Sequence, residues 1–320
     1  MYELAQAELK TWAKIGAKRI MPSALMDLAR ARLRKFQRKP VVRAAIHARA
    51  GMSYEMLVRG LSATGIAPGA DLFVHSALSQ LGQVDGGAKT VIAALREVVG
   101  TGTLLMPSYP MGASMLAWMA SDTTFDVTSS PSRMGGLTEA FRLTPGVVRS
   151  AHPTHAVAAL GANAAAYTAG HHAAGTPCGP GSPFAQLQAR GGTVLCLGSA
   201  IGKVTQYHAI EDEPAIFPVA VYLPQPMRKL VRFADGQSAN VTTRVHDPRL
   251  APWRIDNFAP KQAEFAGYLR EYDAARTARV GQGVVNLIDA PKLQDMMRDL
   301  LARGITIYHR PMWFGARPRI

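Results

Sequence analysis

A chain of 320 residues, 48% of them hydrophobic, can bury a large core and fits one big α/β domain or two modest ones. It has no apolar run near the roughly 20 residues that span a bilayer, and Glu3 and Glu8, with no apolar segment behind them, argue against a signal peptide, so a cytoplasmic location is expected. The formal net charge of +14 is unevenly placed: residues 1 to 49 carry twelve Lys or Arg against three acids, so the excess belongs mainly to an N-terminal arm.

That arm, residues 1–50, is expected to be a basic helical extension of a domain covering residues 51–320. Ser23 can cap a helix that puts Leu25, Leu28, Ala29, Leu33 and Phe36 on one side and Arg30, Arg34 and Arg38 on another, until Pro40 stops it. Such a basic amphipathic helix suits a peripheral contact, through residues 1–40, with the inner face of a membrane or an anionic partner. The alternative is an apolar edge packed on the main domain or on the mate in a homodimer. Nucleic acid is not favoured, because no helix-turn-helix, zinc-finger or RNP-type pattern accompanies the charge.

The next stretch, Asp71 to Tyr109, reads as strand, loop, helix, strand. Leu72, Phe73 and Val74 form an apolar strand; Gly82, Gly86 and Gly87 break it; Val91, Ile92, Leu95, Val98 and Val99 resume at helical spacing; Leu104, Leu105 and Met106 form the second strand. This β-loop-α-β order favours a parallel sheet. Backbone N–H groups in the Gly-rich loop beside a helix start, with the hydroxyls of Ser76 and Ser79, can bind phosphate or pyrophosphate. The other reading is that the glycines only make turns.

Beyond Tyr109 the pattern predicts a long polar loop over Met115–Ser132, a helix over Leu137–Leu143, a turn at Pro145-Gly146 and a strand over Ala156–Leu160. A Gly/Pro loop follows at Thr176–Pro183, then the buried strand TVLCLG and a helix from Thr205. Residues 215–257 read as β-rich, with turns at Pro224-Gln225-Pro226 and Asp235-Gly236, and helices are predicted over 260–278 and 289–302. Cys178, in the Gly/Pro loop, and Cys196, in the strand, read as reduced thiols. No evident base stands beside Cys178 to make it a nucleophile. His171 and His172 are expected in an exposed loop.

The segments VHSALSQLG, VDGGAKTVIAAL, GTLLMPSY, RMGGLTEAFR, PGVVRSAHPTHAVAALG, GSPFAQL, VLCLGSAIGKVTQYHAIEDE and RVGQGVVNLID stand in the order and spacing of the aminoglycoside 3-N-acetyltransferase family. The resemblance covers roughly residues 65–310. It implies an α/β fold with a central mixed or parallel sheet flanked by helices, an acetyl-CoA cosubstrate, no metal, and direct acyl transfer to a primary amine. The short signature of the general N-acetyltransferase superfamily at Gln83–Ala88 is too degenerate to weigh.

Acyl transfer to an amine needs a base for its proton and donors for the oxyanion. His208 is the candidate base, with Glu211 three residues on to orient the ring and stabilise imidazolium; the family's catalytic histidine occupies the matching position. The resemblance further implies cofactor contacts by His75, Ser76, Ala77, Leu78, Ser79, Ser108, Arg133, Met134 and Gly135, by Arg149 and Ser150, and by His152 and His155 in the HPTH segment that follows them. A metal at His152 and His155 is opposed by Pro153 between them and by the missing third ligand.

The departures are informative. Gly202 and Val204 stand where aminoglycoside-modifying members usually place an Asp and an Asn, and Arg244, Val245, His246 and Asp247 stand at the family's later acidic cluster, with Asp247 as the expected second acid. Thinned acidic contacts in a basic protein disfavour a polycation. The expected acceptor is therefore an amino sugar or aminocyclitol of a biosynthetic route. The alternatives are a true antibiotic-resistance enzyme acting on an aminoglycoside and, from another class, a non-catalytic CoA-binding or membrane-surface protein.

Overall fold

The structure, a computed structural model, describes residues 2–20, 51–112, 114–213 and 217–310. The amphipathic helix expected over Ser23–Phe36 lies outside these residues. Helix α1, Tyr2–Ile20, precedes the gap, and α2, Tyr54–Ser62, follows it, capped by the Ser53 hydroxyl on the Met56 N–H.

The β-loop-α-β unit forms as read. Strand β1, Asp71–Ser76, helix α3, Ala88–Val99, and strand β2, Thr103–Pro107, follow in order, and β1 and β2 pair in parallel. Helix α4, Met115–Ala120, strand β3, Phe125–Asp126, helix α5, Gly136–Arg142, and strands β4, Val148–Arg149, and β5, Val157–Gly161, come next. Helices α6, Ala164–Ala169, and α7, Pro183–Ala189, lead to β6, Thr193–Leu197, and a 3-10 segment, Thr205–Asp212. Strands β7, Met227–Arg232, and β8, Ser238–Thr243, helix α8, Ala259–Glu271, strands β9, Ala275–Val280, and β10, Gly283–Asp289, and helix α9, Ala290–Ala302, complete the order.

Seven strands form one mixed sheet in the order β4-β5-β2-β1-β6-β10-β9, in which β1 is parallel to both β2 and β6 and the outer pairs are antiparallel. Alternation along β1 builds two cores: Leu72 and Val74 join Leu57, Val91, Leu95 and Phe141, while Phe73 joins Phe184, Tyr207, Phe265 and Leu293. Helices α2, α3 and α5 thus cover one face and α7, α8 and α9 the other, the expected α/β architecture. A three-stranded sheet, β3-β7-β8, closes a third cluster around Phe125 and Val231.

Two expectations are corrected. Met115–Ser132 is not a plain loop: Lys229, buried on β7, donates to the carbonyls of Trp118 and Ser121 and so fixes α4, and β3 pairs with β7. These partners lie more than 100 residues away, so no local signal shows them. The helix predicted over 260–278 ends at Glu271. Asp273 turns the chain at φ 47°, and Ala275–Val280 becomes the polar edge strand beside β10.

Candidate active site

Strand β1 has a parallel neighbour on each side, so the loops leaving the carboxyl ends of β1, β2 and β6 meet at the switch in strand order where open α/β sheets bind ligands. Hydrogen bonds join these loops. The Ser199 hydroxyl donates to the His75 carbonyl at 3.0 Å, the Thr205 N–H to His75 Nε2 at 3.4 Å, and Tyr109 Oη and Thr205 Oγ1 lie 2.8 Å apart. Gly198 allows the approach: its φ is +70°, and a Cβ there would sit 2.9 Å from the Ala77 carbonyl oxygen.

The 3-10 geometry of Thr205–Asp212 has about three residues per turn, so side chains three apart eclipse and His208 and Glu211 project together. His208 Nδ1 and Glu211 Oε1 are 2.7 Å apart. Tyr308 Oη donates to the same oxygen at 2.7 Å, and His246 Nε2 to Glu211 Oε2 at 2.8 Å. Burial opposes the charge of the Glu211 carboxylate, but the charges and hydrogen bonds of the two imidazoles outweigh it and hold its pKa below the usual range. An ionised carboxylate only accepts. The proton of neutral His208 is thereby placed on Nδ1, leaving Nε2 with the lone pair a base needs. His246, whose pKa burial pulls below normal, is fixed in the opposite tautomer, and its Nδ1 is buried without a hydrogen-bond partner.

His208, Glu211 and His246 offer ligand atoms within 4.8 Å of one another, a donor set that transition metals accept. Both nitrogens are in direct hydrogen-bond contact with Glu211, however, and metal bonds of about 2.0–2.2 Å would have to replace both contacts. The geometry fits shared protons.

The residues expected at the cofactor divide in two. Ser76, Ala77, Leu78 and Met134 are partly exposed, and Ser79, Arg133 and Gly135 are exposed, with the Arg133 N–H tied to the Tyr109 carbonyl at 2.8 Å. These can meet a ligand. Helix α3 starts at Gly87 with no side-chain cap, so its first N–H groups are not taken by its own N-cap.

The other expected contacts lie deeper, and most of their polar atoms have partners within the chain, while Ser108 Oγ and Arg149 Nε have no hydrogen-bond partner among the described residues. Ser108 is fully buried and its carbonyl accepts from Arg149, whose guanidinium also reaches the carbonyls of Val127 and Ser130. The Ser150 hydroxyl pairs with His171 Nδ1 at 2.9 Å, and His152 Nε2 with Thr243 Oγ1 at 3.0 Å. His155, 5% exposed, packs 4.8 Å from the Tyr109 ring and 5.9 Å from that of His246. His75 is held neutral by burial, with a pKa lowered to about 4. Buried neutral imidazoles brace the site and do not suit a phosphate.

Two further expectations change. His171 is not exposed but fully buried, hydrogen-bonded to Ser150 and the Pro177 carbonyl. Asp247 is not the second group on the pair: it caps its own turn and pairs with Arg249, and its neighbour His246 meets Glu211 instead. Tyr308 carried no motif at all. The Asp-Pro-Arg turn after His246 was the one readable sign that Asp247 is used locally.

The family model described as aminoglycoside 3-N-acetyltransferase matches residues 73–302. Aminoglycoside N(3)-acetyltransferase III of Salmonella sp is 33% identical over 283 residues, which cover 82% of this chain and 92% of that protein. Aminoglycoside N(3)-acetyltransferase VII of Streptomyces paromomycinus is 40% identical over 175 residues, 49% of this chain, and the match spans only 60% of that relative's length. The solved structure of AAC-IIIb binary with CoASH has a TM-score of 0.68 at 28% identity, covering 82% of this chain and all of that one. With the matched segment containing the switch point, the His208–Glu211 pair and His246, the chain belongs to the aminoglycoside 3-N-acetyltransferase family.

Proposed function

We propose that the protein is an acetyl-CoA-dependent N-acetyltransferase that moves an acetyl group directly to a primary amine, with His208 as general base and Glu211 as its orienter. The observation that carries this reading is the 2.7 Å contact of His208 Nδ1 with a Glu211 carboxylate whose charge is locked in place, at the sheet switch point. Acetyl-CoA supplies the thioester acyl group. The partly or fully exposed residues Ser76–Ser79 and Arg133–Gly135 are the part of this chain that would hold it, in keeping with a relative solved with CoASH. As the amine nitrogen bonds to the thioester carbonyl carbon, His208 Nε2 takes its proton and Glu211 balances the imidazolium; the C–S bond then breaks, and that proton can go to the departing CoA sulfur as the thiol leaves.

For the acceptor, an amino sugar or aminocyclitol with fewer positive charges than an aminoglycoside fits better. Val204 is buried, and a Cβ on Gly202 would meet the Gln262 side chain at 2.7 Å and the Ile255 carbonyl at 2.9 Å, so no carboxylate projects from these positions. Asp212, Asp247 and Asp256 are engaged by Tyr222, Arg249 and Arg254. A second reading, acetylation of an aminoglycoside itself, is favoured by what the relatives are called. The basic arm is read as a contact for an anionic surface or substrate, and flotation of the full chain with anionic and neutral vesicles tests it.

The deciding experiment is thiol release from acetyl-CoA with the purified chain and a panel of aminoglycosides and nucleotide-linked amino sugars. Release should require His208: His208→Ala should lower kcat by about 10² to 10⁴ with CoA affinity nearly intact. Turnover close to wild type in that variant refutes the base, and a preference of about a hundredfold for the antibiotics refutes the acceptor class.

A further inference from the structure

Glu211 receives a third donor from a segment of the chain outside residues 73–302, the range that the family model matches. Tyr308 is 5% exposed and belongs to a short ladder: the Ile255 N–H donates to the Ile307 carbonyl at 2.9 Å, the His309 N–H to the Trp253 carbonyl at 2.8 Å, and Arg254 bridges Tyr308. The ladder is held from its far side by α1. Glu8, fully buried, pairs with His309 Nε2; the His309 ring stacks on Phe258 at 4.4 Å; and Trp12 packs on Trp253 at 5.2 Å. A buried carboxylate is costly unless paired, so a Glu at this depth fixes where His309 sits and with it the backbone that carries Tyr308.

We propose that Tyr308 is a positioning residue for the Glu211–His208 pair and that the N-terminal helix, through Glu8 and His309, is the strut that seats it. The inference rests on the reading of His208 as the base. The Tyr308 hydroxyl and the His208 Nδ1–H converge on one oxygen, Glu211 Oε1. The phenol therefore withdraws charge that the carboxylate would otherwise offer to imidazolium, and it stops the carboxylate from rotating away. Other groups also act on the pair. His246 and His155 face it from the loops after β8 and before β5, and Arg254 and Asp256 from the ladder. Behind Glu211, its charge reaches Cys178, Asp212 and Tyr222. None is altered by the substitutions below.

The test uses the full chain and is read first without substrate, as the NMR titration of the His208 imidazole, assigned by its loss in His208→Gln. Tyr308→Phe removes one oxygen and should raise the His208 midpoint by roughly half a unit to one unit, as a hydrogen bond leaves the carboxylate that stabilises imidazolium. Glu8→Gln should shift it in the same direction by less, and the two changes together should shift it by less than their sum. In turnover, Tyr308→Phe should lower kcat about tenfold with the KM for acetyl-CoA unchanged. An unmoved His208 midpoint in Tyr308→Phe overturns the positioning role, and strict additivity overturns the strut. If Tyr308→Phe fails to fold, Glu8→Gln alone decides, since a purely structural helix would lower the melting temperature without moving the titration. Absence of acyl transfer in the wild-type chain would count against the enzymatic reading and leave the titration result standing.

Discussion

Lowering the pH from about 7.5 to about 5 should destabilise the protein before the carboxylates that the fold holds low titrate, because histidines buried at and beside the site resist protonation. Burial lowers the pKa of His75 and His171 to about 4, holds His152 and His155 well below normal, and lowers that of His246. In the unfolded chain each titrates near 6.5. Below that pH the unfolded state binds protons that the folded state refuses, so the stability gained by keeping these rings neutral is complete above the unfolded pKa and is lost as the pH falls toward the folded one. At pH 5, His75 and His171 alone remove about 2 kcal/mol each, about 4 kcal/mol together, against a total that for most domains is about 5–15 kcal/mol. Carboxyls held low in the fold, such as Glu139 and Asp126, lose their contribution only below their unfolded values of 4.5 and 3.8, so the window above pH 5 belongs to the histidines. Urea unfolding at constant ionic strength across this range measures the effect. A free energy of unfolding that stays flat down to pH 5 would refute the claim that these rings are neutral and sealed from water.

Glu211→Gln keeps the shape of the side chain but turns one acceptor into a donor, so at least one of His208, His246 and Tyr308 loses its partner. Turnover should drop about 10² to 10³-fold and the urea midpoint should fall by the equivalent of about 2–4 kcal/mol; kcat within threefold of wild type would show that Glu211 does not orient the base. Gly198→Ala should cost about 1–3 kcal/mol, because the new Cβ meets the Ala77 carbonyl at 2.9 Å in a backbone that already has φ +70°. It should also raise the KM for acetyl-CoA by displacing the Ala77–Gln80 turn, and isothermal titration with CoA separates that effect from the loss of stability.

How much of this was legible depended on how local the determining contacts are. The unit from Asp71 to Pro107 is specified by apolar spacing and five glycines within forty residues, and it formed as read. The His208–Glu211 pair was equally local: a three-residue spacing serves both an α-helix and the 3-10 turn actually present. What was hidden depends on distant strands. His246 reaches Glu211 because it bridges Tyr222, and Tyr308 because it pairs with Arg254. The burial of the polar stretch around His152 was hidden for a related reason. Arg149, Ser150, His152 and His155 look like exposed ligand contacts in a one-dimensional reading, yet β5 runs into the interior of the sheet directly after them and Thr243 and His171 supply partners from elsewhere.

The arrangement around Glu211 also bears on why the proposed base should lie this deep. In a buried site, a proton that creates a new charge is expensive, whereas one that cancels a charge already present is not. Glu211, ionised between two imidazoles, carries a negative charge that a proton on His208 Nε2 would offset, on a ring whose Nδ1 already faces the carboxylate. His246 cannot compete through the edge facing Glu211, because its Nε2 is committed to that hydrogen bond, and burial disfavours a second proton on its Nδ1. Proton acceptance is directed to the one nitrogen that is both basic and uncommitted. The same balance argues against reading His246 as a spare acid for a cationic substrate. It supplies a donor to Glu211 and adds no carboxylate, so it tightens the hold on Glu211 and leaves the surroundings of the proposed base less attractive to a polycation.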